Sequence, residues 1–193
     1  MKNNVIKLIV IFIYIFIVVC YSFSIKEESS YDDYIVDYEL LSLNSIDIIN
    51  NSYISKNYYD GEKIDDIINK VNKILNSTLK NKGEFIVNYS IEKGVNPYLS
   101  SAVILHETGC EWTCSYLARE CNNFGGNKGK PSCNGGSYRK FNTQEEGLKF
   151  AIDKLASYYS KGLDTPEEIG PKYATSTAWS TRVNKYINKI KRQ

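Results

Sequence analysis

Hydrophobic positions divide the chain into three stretches. A nearly unbroken apolar run, Leu8 to Val19 with an extension through Cys20 to Phe23, follows Lys2 and Lys7. As a helix rising about 1.5 Å per residue, this run is just long enough to span a bilayer. Ser22-Phe23-Ser24 is a passable small-x-small cleavage site. Residues 1–24 are therefore expected to be a signal peptide or a membrane anchor. Either one places the remainder outside the cytoplasm, with the basic N-terminus kept inside. Residues 25–60 lose this hydrophobicity. They are acidic, rich in Ser, Asn and Tyr, and end at the turn signal Asp60-Gly61, so they read as a spacer, with Tyr38–Leu43 apolar enough for a docking helix.

Residues 61–193 read as one domain with helical spacing. Ile64, Ile67, Ile68, Val71, Ile74, Leu75 and Leu79 recur every three or four positions, as one buried helix face requires. A second helix is expected from about Glu84 to Lys93, ending at Gly94. A third starts with Asn96 as N-cap and Pro97 in the first turn, and stops at Gly109. A short fourth covers about Thr113 to Cys121. Residues 122–137 hold five glycines and predict an irregular loop, followed by a short strand at Tyr138–Phe141. Thr143 and Glu146 have the spacing of a capping box for a helix closing at Gly162. Thr165-Pro166 opens another short helix. The last, Thr181 to Lys191, turns Val183, Tyr186, Ile187 and Ile190 inward. The expected fold is mainly α, of α+β type, with a small irregular or β lobe.

Charge and cysteine usage sharpen this picture. The formal net charge of +2 conceals an acidic arm and a basic domain: residues 25–70 carry 4 Lys against 11 Asp/Glu, and residues 71–193 carry 18 Lys/Arg against 11 Asp/Glu. Such a domain suits an anionic polymer. The 16 tyrosines offer rings on which a polar substrate can stack. Outside the apolar run, Cys110, Cys114, Cys121 and Cys133 form an even set, which in an exported domain predicts two disulfides with three possible connectivities. If residues 114–121 are one helix, its ends stand about 10 Å apart, so the 114–121 pairing is the least favoured. A zinc site using His106 and the thiols lacks the close knuckle spacing such sites use.

The strongest chemical signal lies between Asn96 and Gly126. Glu107 falls in the last turn of the third helix, where the helix dipole disfavours negative charge, and it follows apolar Val103, Ile104 and Leu105. Both influences favour the protonated form that a general acid needs. His106 would point about 100° away on the helix and is not a partner base. Glu111, Glu120, Glu145 and Glu146 are available as second carboxylates, but none is singled out. Asn123 is read either as a ligand for a sugar amide or as the residue that accepts a strained turn. Phe124, Tyr138 and Trp112 are candidates to stack on sugars, whereas Trp179 reads as core.

HETG at 106–109, NNFGG at 122–126, YRKF at 138–141, the spacing Gly147-Leu148 to Leu155, and KYATSTAWSTRV at 172–183 occur in the order of the bacterial glucosaminidase family. The chain resembles that family over roughly residues 84–190, although the cysteine cluster is not a general feature of it. The resemblance implies a lysozyme-like fold and cleavage of the β-1,4 bonds of peptidoglycan glycan strands, in the N-acetylglucosaminidase manner. It implies Glu107 as the general acid and gives Tyr173 a supporting catalytic place. A muramidase or lytic transglycosylase on the same polymer, or a glycan-binding module without turnover, are the alternatives. The reading calls for no cofactor, no metal and no nucleic acid. Its partners are the glycan strands and, if the N-terminal segment is uncleaved, the membrane.

Overall fold

The computed structural model describes residues 56–193, within which a compact unit runs from Asn57 to Gln193. The expected leader at 1–24, and the spacer as far as residue 55, lie outside the described residues. The unit is mainly helical. Its sheet is one antiparallel hairpin, β1 (Tyr58–Tyr59) with β2 (Glu62–Lys63), turning through Asp60 and Gly61, both at positive φ. Among the described residues seven α-helices follow: α1 (Ile64–Asn72), α2 (Gly83–Glu92), α3 (Pro97–Thr108), α4 (Tyr116–Cys121), α5 (Gln144–Tyr159), α6 (Pro166–Tyr173) and α7 (Trp179–Lys191). None of them is long and apolar enough to cross a membrane.

Helix α3 is the centre of the molecule. Every residue from Pro97 to Leu105 is buried, as is Thr108, so only His106 and Glu107 reach partly toward the surface. A helix apolar on all sides belongs inside a shell of other elements, and α1, α2, α5 and α7 supply that shell. Of the buried serines, Ser101 leaves its hydroxyl without a partner, whereas Ser100 is satisfied across helices. Ser100 of α3 meets Ser90 of α2, oxygen to oxygen at 2.5 Å. At the edge, Tyr98 donates to Glu62 at 2.6 Å and Lys70 pairs with the same carboxylate at 2.7 Å, which ties the hairpin to α1 and α3.

Several expected boundaries move. Helix α4 begins at Tyr116 rather than Thr113, because Cys114 sits at φ 58° and Ser115 caps the helix by accepting from the Ala118 N–H. Tyr138–Phe141 is not a strand: Lys128–Tyr138 and Ser132–Arg139 make isolated antiparallel bridges only. Helix α7 starts at Trp179 rather than Thr181, since the Trp179 N–H already closes a turn onto Ser176. At α5, Thr143 accepts from the Glu146 N–H as expected, but the Glu146 carboxylate reaches past it to the Asn142 N–H. The complete capping box is at α6, between Thr165 and Glu168.

Candidate active site

The local chemistry of α3 fixes where Glu107 stands. Asn96 accepts from the N–H groups of Tyr98 and Leu99, Pro97 occupies the first turn, and Gly109 at φ 64° ends the helix with its N–H on Leu105. Glu107 is half-buried. Its Oε1 accepts a 3.1 Å hydrogen bond from Trp179 Nε1. Its Oε2 faces Gly126, where an added Cβ would come to 3.4 Å. Trp179 is core, as its sequence context suggests, yet it also holds this carboxylate and stacks on Tyr173 with ring centroids 4.9 Å apart. That second role was invisible in the sequence.

The opposite wall is the loop after α4. Asn122 takes a left-handed conformation at φ 50° and turns the chain back. Asn123 then spends its whole side chain on the loop: its Oδ1 accepts from the Asn127 N–H at 2.9 Å, and its Nδ2 donates to the carbonyls of Asn127 and Arg139. The turn role is therefore the one it fills, and no donor remains for a sugar amide. Phe124 is 0% exposed and packs in the core, so it has no face for a sugar and the stacking expectation is corrected. The loop can lie this close to α5 because residue 147 is glycine; a Cβ there would fall on the Asn122 carbonyl oxygen.

Between this loop, α5 and the end of α6 runs a groove of about 720 Å³ lined by Gly126, Asn127, Lys128, Phe150, Asp153, Lys154 and Tyr173; Glu107 reaches it only through its approach to Gly126. Two of its polar groups are buried and have no hydrogen-bond partner: the Tyr173 hydroxyl and the Asn127 side-chain nitrogen. Such orphans are rare in folded proteins; among the described residues the Ser101 hydroxyl and Arg139 Nε share the condition. Burial holds the Tyr173 phenol well above its ordinary ionisation range, with the Glu107 charge adding to the effect, so it stays a donor. Lys154 places its Nζ 3.9 Å above the Tyr173 ring. Burial lowers its affinity for its proton, and the Glu107 carboxylate opposes that shift. Asn127 and Lys154 carried no mark in the sequence, because their value depends on which buried groups lack partners.

Tyr138 and Trp112 are both exposed, at 38% and 71%. Tyr138 bridges to Lys128, a residue of the groove wall. Trp112 lines a separate cleft with His106, Glu111, Arg182, Lys185, Tyr186 and Lys189. Burial holds the His106 imidazole below its ordinary value, with Glu107 opposing and Arg182 assisting. Of the other candidate carboxylates, Glu111 pairs with Lys189, Glu145 with Lys82, Glu146 serves its helix cap, and Glu120 is exposed on α4 and lines neither the groove nor the Trp112 cleft. Asp153 alone among carboxylates lines the groove, and it accepts from the Tyr89 hydroxyl at 3.0 Å.

The cysteines pair as Cys110–Cys114 and Cys121–Cys133. The first closes the turn after Glu107, and the second ties the end of α4 to the loop that forms the groove wall. Both pairs consume sulfurs that a zinc site would need. Taken together, the site offers one carboxylate aimed by an indole, a protonated phenol, an amide donor and a cation beside an open groove. A carboxylic acid held in this way is a group able to transfer a proton. No family model matches the chain, and no curated protein matches it significantly.

Proposed function

We propose that residues 57–193 form a lysozyme-like enzyme that cuts β-1,4 glycosidic bonds of peptidoglycan glycan strands, as an N-acetylglucosaminidase, with Glu107 as the acid. The observation that carries this reading is that Glu107, through its Oε2 on Gly126, stands at the edge of a groove whose lining includes two residues with unpartnered buried donors, Tyr173 and Asn127. The segments that carry the family resemblance are spread over the sequence, yet each contributes to this one place. HETG supplies Glu107, NNFGG supplies Gly126, and KYATSTAWSTRV supplies Tyr173 and Trp179. YRKF supplies the Arg139 carbonyl that Asn123 holds.

Glycoside cleavage needs a proton on the leaving oxygen and stabilisation of an oxocarbenium-like centre. Glu107 donates that proton. A positioned acid contributes on the order of 10²–10⁴-fold in rate. No nucleophile is assigned to the protein: Asp153 is the one carboxylate in the groove lining, and no contact ties it to Glu107. The substrate's own acetamido oxygen attacks the anomeric carbon, with Tyr173 and Asn127 beside it, as the C–O bond to the leaving sugar breaks and Glu107 protonates the departing oxygen; water, giving its proton to Glu107, then opens the cyclic intermediate. The enzyme acts outside the cytoplasm, secreted or anchored by its N-terminal segment, and two disulfides are in keeping with that compartment.

The test is Glu107→Gln in the full chain. The variant should lose clearing of purified cell walls while keeping its melting behaviour and its binding to walls. Clearing at the parent's rate would remove Glu107 as the acid. Mass analysis of released fragments then identifies the new reducing end. GlcNAc supports the glucosaminidase, whereas MurNAc or anhydro-MurNAc replaces it with a muramidase or a lytic transglycosylase.

A further inference from the structure

The cleft holding Trp112 has no part in the reaction above, and its chemistry is distinct from that of the groove. It encloses about 560 Å³. One wall is α7, where Arg182, Lys185 and Lys189 follow one another at helical spacing and so share a face. The other wall comes from the end of α3 and the turn after it, His106, Glu111 and Trp112. Lys189 is neutralised by Glu111. Arg182 and Lys185 have no ion-pair partner among the described residues, and both are exposed. Trp112 presents a large apolar face at 71% exposure beside them, in a molecule whose other tryptophan is buried.

We propose that this cleft binds an anionic saccharide, with the sugar face on the Trp112 indole and its carboxylate or phosphate on Arg182 and Lys185. An indole is the ring best suited to the apolar face of a sugar, and a guanidinium gives a fork of donors that fits either oxyanion. The side chains are few and the cleft is short, which fits one charged sugar unit rather than a long polyanion laid along a basic stripe. The choice of a saccharide over another anion rests on the glycan reading of the neighbouring groove. His106 lines this cleft and Glu107 faces the groove, so consecutive residues of α3 address the two sites. A glycan chain anchored here by a charged unit would be held next to the acid.

Acrylamide quenching of tryptophan fluorescence reads this site directly. The chain has 2 Trp, and quenching reports the exposed Trp112 while Trp179 is shielded. The full chain in a non-ionic detergent is titrated with N-acetylmuramic acid, N-acetylglucosamine 6-phosphate and neutral N-acetylglucosamine, with a short oligo-dT as a rival anion. At least one charged sugar should protect Trp112 at about fivefold lower concentration than the neutral sugar, and raised salt should erode that advantage. Whether the carboxylate, the phosphate or both protect identifies the source of the charge. In Arg182→Gln/Lys185→Gln the advantage should vanish, with the melting curve unchanged. Equal protection by all three sugars, an undiminished advantage in the double variant, or tighter protection by oligo-dT would each overturn the proposal. The Glu107→Gln variant separates the two readings: it should keep full Trp112 protection whatever happens to wall clearing.

Discussion

Trp179 Nε1 donates to Glu107 Oε1 at 3.1 Å across 72 positions of sequence. An indole has one donor and no acceptor, so the bond can only serve an oxygen, and it leaves Oε2 turned toward Gly126. In Trp179→Phe the ring still packs on Tyr173 but the donor is gone. Wall clearing should fall about tenfold, with a stability loss of roughly 2–4 kcal/mol from the lost hydrogen bond and the space left by the smaller ring. Turbidity assays beside thermal melts separate the two effects. Unchanged clearing would show that the carboxylate needs no such hold.

Tyr173 and Asn127 carry the second test. Tyr173→Phe removes a hydroxyl that no protein group uses, so it should not lower stability and should raise it slightly, because burying an unpaired polar group is unfavourable. If the hydroxyl orients substrate, turnover should drop by roughly 10–100-fold in the same variant. Asn127→Ala should act chiefly on KM. A variant with higher stability and full activity would leave the phenol without a function.

Gly147 is required by close approach. A Cβ at this position meets the carbonyl oxygen of Asn122 and lies 3.1 Å from the Phe124 ring. Gly147→Ala should therefore destabilise the domain by about 3 kcal/mol, at the upper end of overpacking effects, despite alanine's better helix propensity. Denaturant melts measure this. Because the displaced loop carries Gly126, clearing activity should fall in the fraction that remains folded.

Three tyrosines predict an alkaline limit. Burial raises the phenols of Tyr98, Tyr159 and Tyr173, with Glu62 adding to the first and Glu107 to the third, and Tyr159 is pushed up to about 12. In the unfolded chain these groups ionise near the ordinary phenol value of about 10. Above that pH the unfolded state has lost protons that the folded state keeps, so stability falls as pH rises. Their contribution is complete below about pH 10 and declines between about pH 10 and pH 12. Phenolate absorbance should show these three titrating late, beside Tyr59 and Tyr89, which burial also raises, together with loss of the fold. Early titration of all of them would refute the burial.

How much of this was legible depended on how local each signal was. The Asn96 cap, the Pro97 first turn and the Gly109 stop could be read because all three act within one turn of α3. The all-round burial of that helix was foreshadowed only by its run of apolar residues. By contrast, Asn123 and Phe124 were nominated for a substrate and turned out to serve the turn and the core, since a polar and an aromatic neighbour look alike wherever they point. The pairing of Cys114 with Cys121 was disfavoured on the assumption of a continuous helix. That helix is absent at Cys114, which instead pairs with Cys110. Trp179, Asn127 and Lys154 owe their places to contacts between distant segments, and no spacing rule reports those.

The enclosure of α3 also decides which side of the groove can yield. Moving Glu107 would mean shifting a helix that every neighbouring helix leans on, and Ile104 and Leu105 just before it are fully buried. Truncating one such side chain to alanine typically costs 2–5 kcal/mol. The facing loop is anchored by Phe124 and Phe141 in the core, by Asn123 and by one sulfur bridge, but most of residues 128–140 between those anchors is exposed. Adaptation to bulkier or stiffer guests therefore has one economical route, through residues 128–140, and selection for new specificity in a library should be aimed there while the buried rod is left alone.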